Sequence, residues 1–184
     1  VLDALGQVSG DFIAPRSEGI DREGNTLNPD GTVSYAKGIA ESLNALAKMD
    51  VMGFTLPYRF GGLNFPNTIY SIAIEMVSRA DASLMNIFGL QGIAETINFF
   101  ADEDIKKHYL PDFASGKVTG AMVLTAPAAG SHRHAAKHRA FKDDSGQRSR
   151  HGAKRIITNG RGEMLLVRPH SGMDRSGGLG LSLI

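Results

Sequence analysis

Thr119-Gly-Ala-Met-Val-Leu-Thr-Ala-Pro-Ala-Ala-Gly-Ser131 and, further on, Lys154-Arg-Ile-Ile-Thr-Asn-Gly160 are the stretches on which the reading of this chain turns. Each reads as a strand that breaks into a turn carrying a hydroxyl and glycine. Such turns let backbone N–H groups approach a bulky polar ligand closely, because glycine puts no Cβ in the way.

Around them the texture is that of β-structure. Residues 118–125, 134–142, 147–158, 163–168 and 179–184 are short segments separated by Gly, Pro, Ser or Asp. Five such strands are few for a closed barrel, and the apolar run Leu179-Gly-Leu-Ser-Leu-Ile184 reads as a strand cut short. Before Gly116 the chain reads as helices. Residues 1–13 end one near Pro15, and a polar stretch from Arg16 to Thr32 follows, with a turn at Asn28-Pro-Asp-Gly31. Ser34 is the expected N-cap of a helix to Lys48 with Ile39, Leu43 and Leu46 on one face. A helix over 67–80 carries Ile69, Ile72, Ala73, Met76 and Val77, and 83–100 reads as one mostly buried helix. Asp102, Glu103 and Asp104 ahead of Lys106 and Lys107 give the next helix a polarity that suits its dipole, and Pro111 and Gly116 close it. The expected class is α+β: an all-α domain over 1–116, then an incomplete β-domain over 117–184.

At 184 residues, 42% hydrophobic and 21% charged, the chain has the composition of an ordinary globular protein. No apolar run approaches the roughly 20 residues of a membrane span. The absence of cysteine excludes disulfides, thiolate zinc sites and cysteine nucleophiles, and fits a reducing, cytoplasmic setting. The net charge of +1 hides an asymmetry. Residues 1–130 hold 9 Lys/Arg against 15 Asp/Glu, whereas 131–155 hold 8 against 2. Such a basic belt suits a phosphate-bearing partner or a plain solvated surface. For nucleic acid the aromatic interleaving is poor, with only Phe141 in the belt, so no nucleic-acid partner is expected. His132, His134 and His138 alternate as strand residues facing one side, a metal pattern without any nearby cysteine or acid. No Ser–His–Asp arrangement is present, since Ser131 and His132 are neighbours with no acid placed between them.

The two opening motifs follow Gly53-Phe-Thr-Leu-Pro57, Gly61-Gly-Leu63 and Tyr109-Leu-Pro-Asp-Phe-Ala-Ser-Gly116 in order. This set resembles the first two domains of an acyl-CoA dehydrogenase, over nearly the whole chain. The resemblance implies a helical domain, a middle antiparallel β-barrel present here in part, and a C-terminal four-helix bundle absent from this sequence. It implies FAD as cofactor, an acyl-CoA thioester as substrate, α,β-dehydrogenation, electron transfer to an electron-transfer flavoprotein, and a homo-oligomer in the intact protein. By its pattern Met122, Leu124 and Thr125 lie along the flavin ring, and Gly130 and Ser131 meet the pyrophosphate, with Ser131 near the CoA arm. Ile156 takes the place that packs on the flavin, and Thr158 puts its hydroxyl near the edge that accepts hydride. Fixed donors there stabilise the charge of a reduced flavin without reorganising. The family's catalytic carboxylate belongs to the bundle; none of Glu75, Glu95, Glu103 or Glu163 matches it, so no catalytic residue is assigned and this chain alone is expected to be inactive.

Three departures stand against the pattern. Acidic residues expected in the first motif are Ala126 and His132, the aromatic expected in the second is Ile156, and Arg148 and Arg150 replace apolar residues on the strand between them. By strand alternation both arginines would point inward together, which is costly unless they are paired or solvated, or unless the strand is exposed for want of a covering domain. The alternative is thus a non-catalytic remnant or scaffold that no longer binds flavin.

Overall fold

The computed structural model describes residues 1–127, 139–142, 144–146, 148–160 and 164–167. The chain divides into two compact units, Val1–Gly120 and Ala121–Ile184.

The first unit is helical apart from one small hairpin. It runs α1 (Leu2–Gln7), a π-helical stretch (Val8–Ile13), α2 (Ala14–Glu23), strands β1 (Thr26–Leu27) and β2 (Val33–Ser34), and α3 (Lys37–Lys48). A 3-10 turn (Tyr58–Phe60) then leads to α4 (Asn67–Ala80), α5 (Ala82–Leu90), α6 (Ile93–Phe100) and α7 (Glu103–Ala114). Leu5, Ile13, Leu46, Val51, Phe54, Val77, Leu84 and Phe88 form its fully enclosed centre. Each such side chain contributes about 1.5–3 kcal/mol by leaving water.

Several boundaries differ from the sequence expectation, each for a visible reason. The first helix does not end at Pro15. The π turn ahead of it widens the backbone, and Pro15 falls in the first positions of α2, where a missing N–H and a fixed φ are tolerated. Helix then continues to Glu23, through residues expected to be loop. Ser34 does not cap α3; it pairs with Thr26 in the hairpin, around the Asn28–Gly31 turn that was expected. The first N–H of α3, on Lys37, is instead taken by the distant Glu23 carboxylate at 3.1 and 3.2 Å.

Residues 83–100 form two helices, not one. Gln91 and Gly92 interrupt them, their N–H groups donating three residues back to the Phe88 and Gly89 carbonyls at 3.2 Å, and side chains add further bonds around the break. The Tyr70 hydroxyl donates to the Phe88 carbonyl at 2.8 Å, and Gln91 Nε2 donates to the carbonyls of Phe113 and Val118 at 3.3 and 3.4 Å. Pro111 does not close α7. The helix runs on to Ala114 because Leu110, Phe113 and Ala114 are buried around it, outweighing the roughly 3 kcal/mol that an interior proline costs. Two glycines are set by close approach: a Cβ on Gly53 would lie 2.7 Å from the Ala114 Cα, and one on Gly62 would lie 2.1 Å from the Leu56 carbonyl oxygen.

In the second unit the described strands are short: β4 (Arg139–Lys142), β5 (Arg148–His151) and β6 (Met164–Val167); β3 (Gly120–Val123) leads into it. β3 pairs with β6, and β4 pairs antiparallel with β5, Ala140 opposite Arg150. A closed barrel is not formed among the described residues, which show only two-stranded sheets. Arg150 is exposed, so the inward position expected for it is corrected: on a two-stranded ribbon its charge stays in water. The expected strand at 179–184 lies outside the described residues.

Candidate functional site

The two motifs singled out in the sequence meet in the second unit. Along β3, Ala121 and Val123 are buried while Met122 is half-buried, the alternation of a strand with one face on a core. The strand stops at Val123, where the chain turns on itself with the Leu124 N–H donating to the Met122 carbonyl at 3.2 Å. Leu124 is half-buried, Thr125 is exposed and Ala126 is buried again.

The second motif is laced onto this bend. Lys154 Nζ donates to the Leu124 carbonyl at 2.8 Å, and the Arg155 N–H donates to the Thr125 carbonyl at 3.1 Å. A cationic donor makes the first of these a charge-assisted bond, stronger than a neutral one. Immediately beyond, Ile156 has a φ of 55°, a left-handed conformation that a β-branched residue rarely adopts. The kink leaves its side chain 92% exposed. Thr158, also exposed, opens a turn closed by the Gly160 N–H on the Ile157 carbonyl at 3.1 Å, with Asn159 at a φ of 52°.

The structure therefore brings Met122, Leu124 and Thr125 against the segment that carries Ile156 and Thr158. Gly130 and Ser131, with the histidines at 132, 134 and 138, lie outside the described residues. Among the described residues no group of His, Asp or Glu is placed to hold a metal ion. The link itself runs through Lys154 and Arg155, which the sequence offered only as part of a basic belt. Nothing in their spacing announced that one would donate through its side chain and the other through its backbone.

The carboxylates weighed as bases are placed as follows. Glu75 is exposed on α4. Glu95 accepts from Asn67 Nδ2 at 2.9 Å. Glu103 is gripped by the Arg59 guanidinium and by Lys106, and the bond to Arg59, then that to Lys106, holds its carboxyl below the usual range. A carboxylate so stabilised is a poorer base. Glu163 lies outside the described residues.

A helical unit passing into short strands whose turns are stitched together defines an α+β chain built to present two bends side by side. The family model described as acyl-CoA dehydrogenase, N-terminal domain, matches residues 5–117, and the chain belongs to the acyl-CoA dehydrogenase family. It is 30% identical over 164 residues to 3-methylmercaptopropionyl-CoA dehydrogenase of Ruegeria pomeroyi, a match covering 86% of this chain and 27% of that protein. It is 32% identical over 161 residues to the mitochondrial 2-methylacyl-CoA dehydrogenase of Solanum tuberosum, covering 86% of this chain and 36% of that protein. The chain thus spans about a third of the length of these relatives. An acyl-CoA dehydrogenase of Bacillus anthracis, solved in complex with FAD, shares the fold with a TM-score of 0.77 and 24% identity, over 92% of this chain and 28% of that one. No helix among the described residues is long and apolar enough to cross a membrane.

Proposed function

We propose that this chain forms the flavin-facing part of an FAD-dependent acyl-CoA dehydrogenase, an oxidoreductase of fatty-acid metabolism acting on the α and β carbons of an acyl-CoA thioester. The observation that carries this reading, in a chain of this family, is the lacing of Leu124 and Thr125 to Lys154 and Arg155. It holds the two bends in one fixed relation, as a large rigid cofactor requires.

The residues fit a flavin. A ring system of that kind needs hydroxyl and backbone donors at its polar edge and an uncovered apolar side chain for its face. Thr125 and Thr158 are exposed, and Ile156 is left open by its backbone kink. FAD, when bound, supplies the acceptor for the hydride that leaves the β-carbon. The part played by this chain is orientation. The Thr125 hydroxyl and the backbone from Met122 to Leu124 fix the ring, and Thr158 aims a hydroxyl at its accepting edge. Gly130 and Ser131 serve the pyrophosphate, with Ser131 also toward the CoA arm. Preset donors of this kind act without reorganisation during the reaction. No residue of this chain is assigned as the base that removes the α-proton. Transfer of electrons to an electron-transfer flavoprotein, and assembly of the intact protein as a homo-oligomer, complete the reading.

A second reading, a scaffold that has lost flavin, draws on Ala126, His132 and Ile156. The visible absorption spectrum of the purified protein, after incubation with FAD and removal of the excess, decides between them. Stoichiometric flavin is expected. A colourless protein sinks the dehydrogenase reading and favours the scaffold.

A further inference from the structure

The bond from Lys154 Nζ to the Leu124 carbonyl, at 2.8 Å and half-buried, joins the two bends, yet fastening alone does not call for a charge. The neighbouring tie, from the Arg155 N–H to the Thr125 carbonyl at 3.1 Å, is made by backbone. What the ammonium adds is electrical. A peptide unit is one conjugated group, so a cation held on its oxygen draws electron density from its nitrogen and makes the N–H a stronger donor. The nitrogen of the peptide that Lys154 grips is that of Thr125.

That N–H is the group this bend leaves open. The Leu124 N–H is used on the Met122 carbonyl, the Leu124 carbonyl on Lys154 and the Thr125 carbonyl on the Arg155 N–H, whereas the Thr125 N–H makes no hydrogen bond among the described residues. Thr125 is exposed and lies past the end of β3 at Val123, so no strand ladder claims it. We propose that Lys154 is a positioning residue, acting through the Leu124–Thr125 peptide to favour reduction of the bound flavin. This rests on the reading of the chain as the flavin-facing part of a dehydrogenase. A flavin gains negative charge at its polar edge on reduction, and charge placed beside it tunes how readily it does so. A donor sharpened in advance stabilises that charge more than it stabilises the neutral ring. Half-burial spares the ammonium part of the screening that an exposed lysine suffers.

Two measurements on the purified protein test this, the first without flavin. In Lys154→Met the Leu124 carbonyl carbon and the Thr125 amide proton should both move upfield in isotope-edited spectra, because both report the polarisation of that peptide. Lys154→Gln, which keeps a donor but no charge, should follow Lys154→Met, and Lys154→Arg should stay near the parent. For the second, the same proteins loaded with FAD are equilibrated with a reference redox dye and read by visible absorbance. Loss of the charge should shift the equilibrium about tenfold toward oxidised flavin, or about 30 mV for a two-electron couple, and Lys154→Arg should recover most of the shift. Unmoved Leu124 and Thr125 resonances would overturn the proposal whatever the flavin does. Equal potentials would overturn it too, even if Lys154→Met holds FAD more weakly, since that result describes a purely structural clamp. A parent that stays colourless after incubation with FAD sinks the dehydrogenase reading itself, and this role with it.

Discussion

The helical unit and the strand-bearing unit are built to opposite specifications. In the first, the decisive side chains are hidden: Phe54, Phe88 and Phe113 lie wholly inside, and glycines stand where a single Cβ would strike backbone. In the second, the residues of interest face outward. Thr125, Ile156 and Thr158 are exposed, held in place by hydrogen bonds to their neighbours' backbone, not by burial of their own. If the proposed flavin site is right, stability and recognition are carried by separate stretches of this chain. Substitutions in one should therefore leave the other nearly untouched.

The contrast breaks most readily at Phe88. Phe88→Ala should cost about 3–5 kcal/mol, as for other buried aromatic truncations, and thermal unfolding followed by far-UV circular dichroism should register it as a large fall in midpoint. A small change would mean the helical core tolerates loss at its centre. Tyr70→Phe comes next, at about 1–2 kcal/mol, because it removes the donor to the Phe88 carbonyl at the α5–α6 break. It also carries a pH signature. Burial, then the charge of Glu95, pushes the Tyr70 phenol well above its ordinary value, partly countered by the Gly92 N–H. The neutral form is thus favoured in the folded state. That stability is complete below about pH 10, the unperturbed phenol value, and is lost as pH rises through the raised one. Denaturant midpoints measured between pH 8 and 11 should fall for the parent and fall less for Tyr70→Phe.

On the other side of the comparison, Ile156→Asn should change the stability read from helical melting by no more than about 0.5 kcal/mol, as for an exposed position. Asparagine tolerates the left-handed backbone better than isoleucine. A large loss in the same melt would show that Ile156 supports the fold and would erase the division of labour. The finest test is Thr158→Val in a longer parent that binds FAD. It should slow flavin reduction by substrate, read by stopped-flow absorbance, on the order of tenfold or more for a lost donor at a charged edge, with thioester affinity nearly unchanged. Unaltered reduction would remove Thr158 from the reaction.

How much of this was legible beforehand depends on which force shaped each part. Helix 67–80 was plain from its apolar content, but the buried face proved to be Tyr70, Ala73, Val77 and Ala80, with Ile72 exposed. The sequence stripe favoured the most apolar residues. The fold instead used the tyrosine, because its hydroxyl had a carbonyl to satisfy. The break at Gln91 and Gly92 was hidden for the same reason: it depends on Phe113 and Val118, more than twenty residues away, to occupy the Gln91 amide. At the candidate site the turns were readable from Thr125, Thr158 and the glycines, whereas the bond from Lys154 to the Leu124 carbonyl was not. A lysine side chain crossing thirty residues of sequence to a backbone oxygen leaves no periodic trace.

One feature of the first helix reaches beyond this chain. A π turn such as Val8–Ile13 is what a helix becomes when it takes in one extra residue without looping it out. The wide turn takes up that residue locally, so Leu5 and Ser9 near one end and Ile13 and Ile20 at the other all keep to the buried face. Among relatives, a one-residue gap within 8–13 should accompany an unbroken α-helix. A single-residue deletion made there in this chain should remove the wide turn and leave Leu5 facing the core.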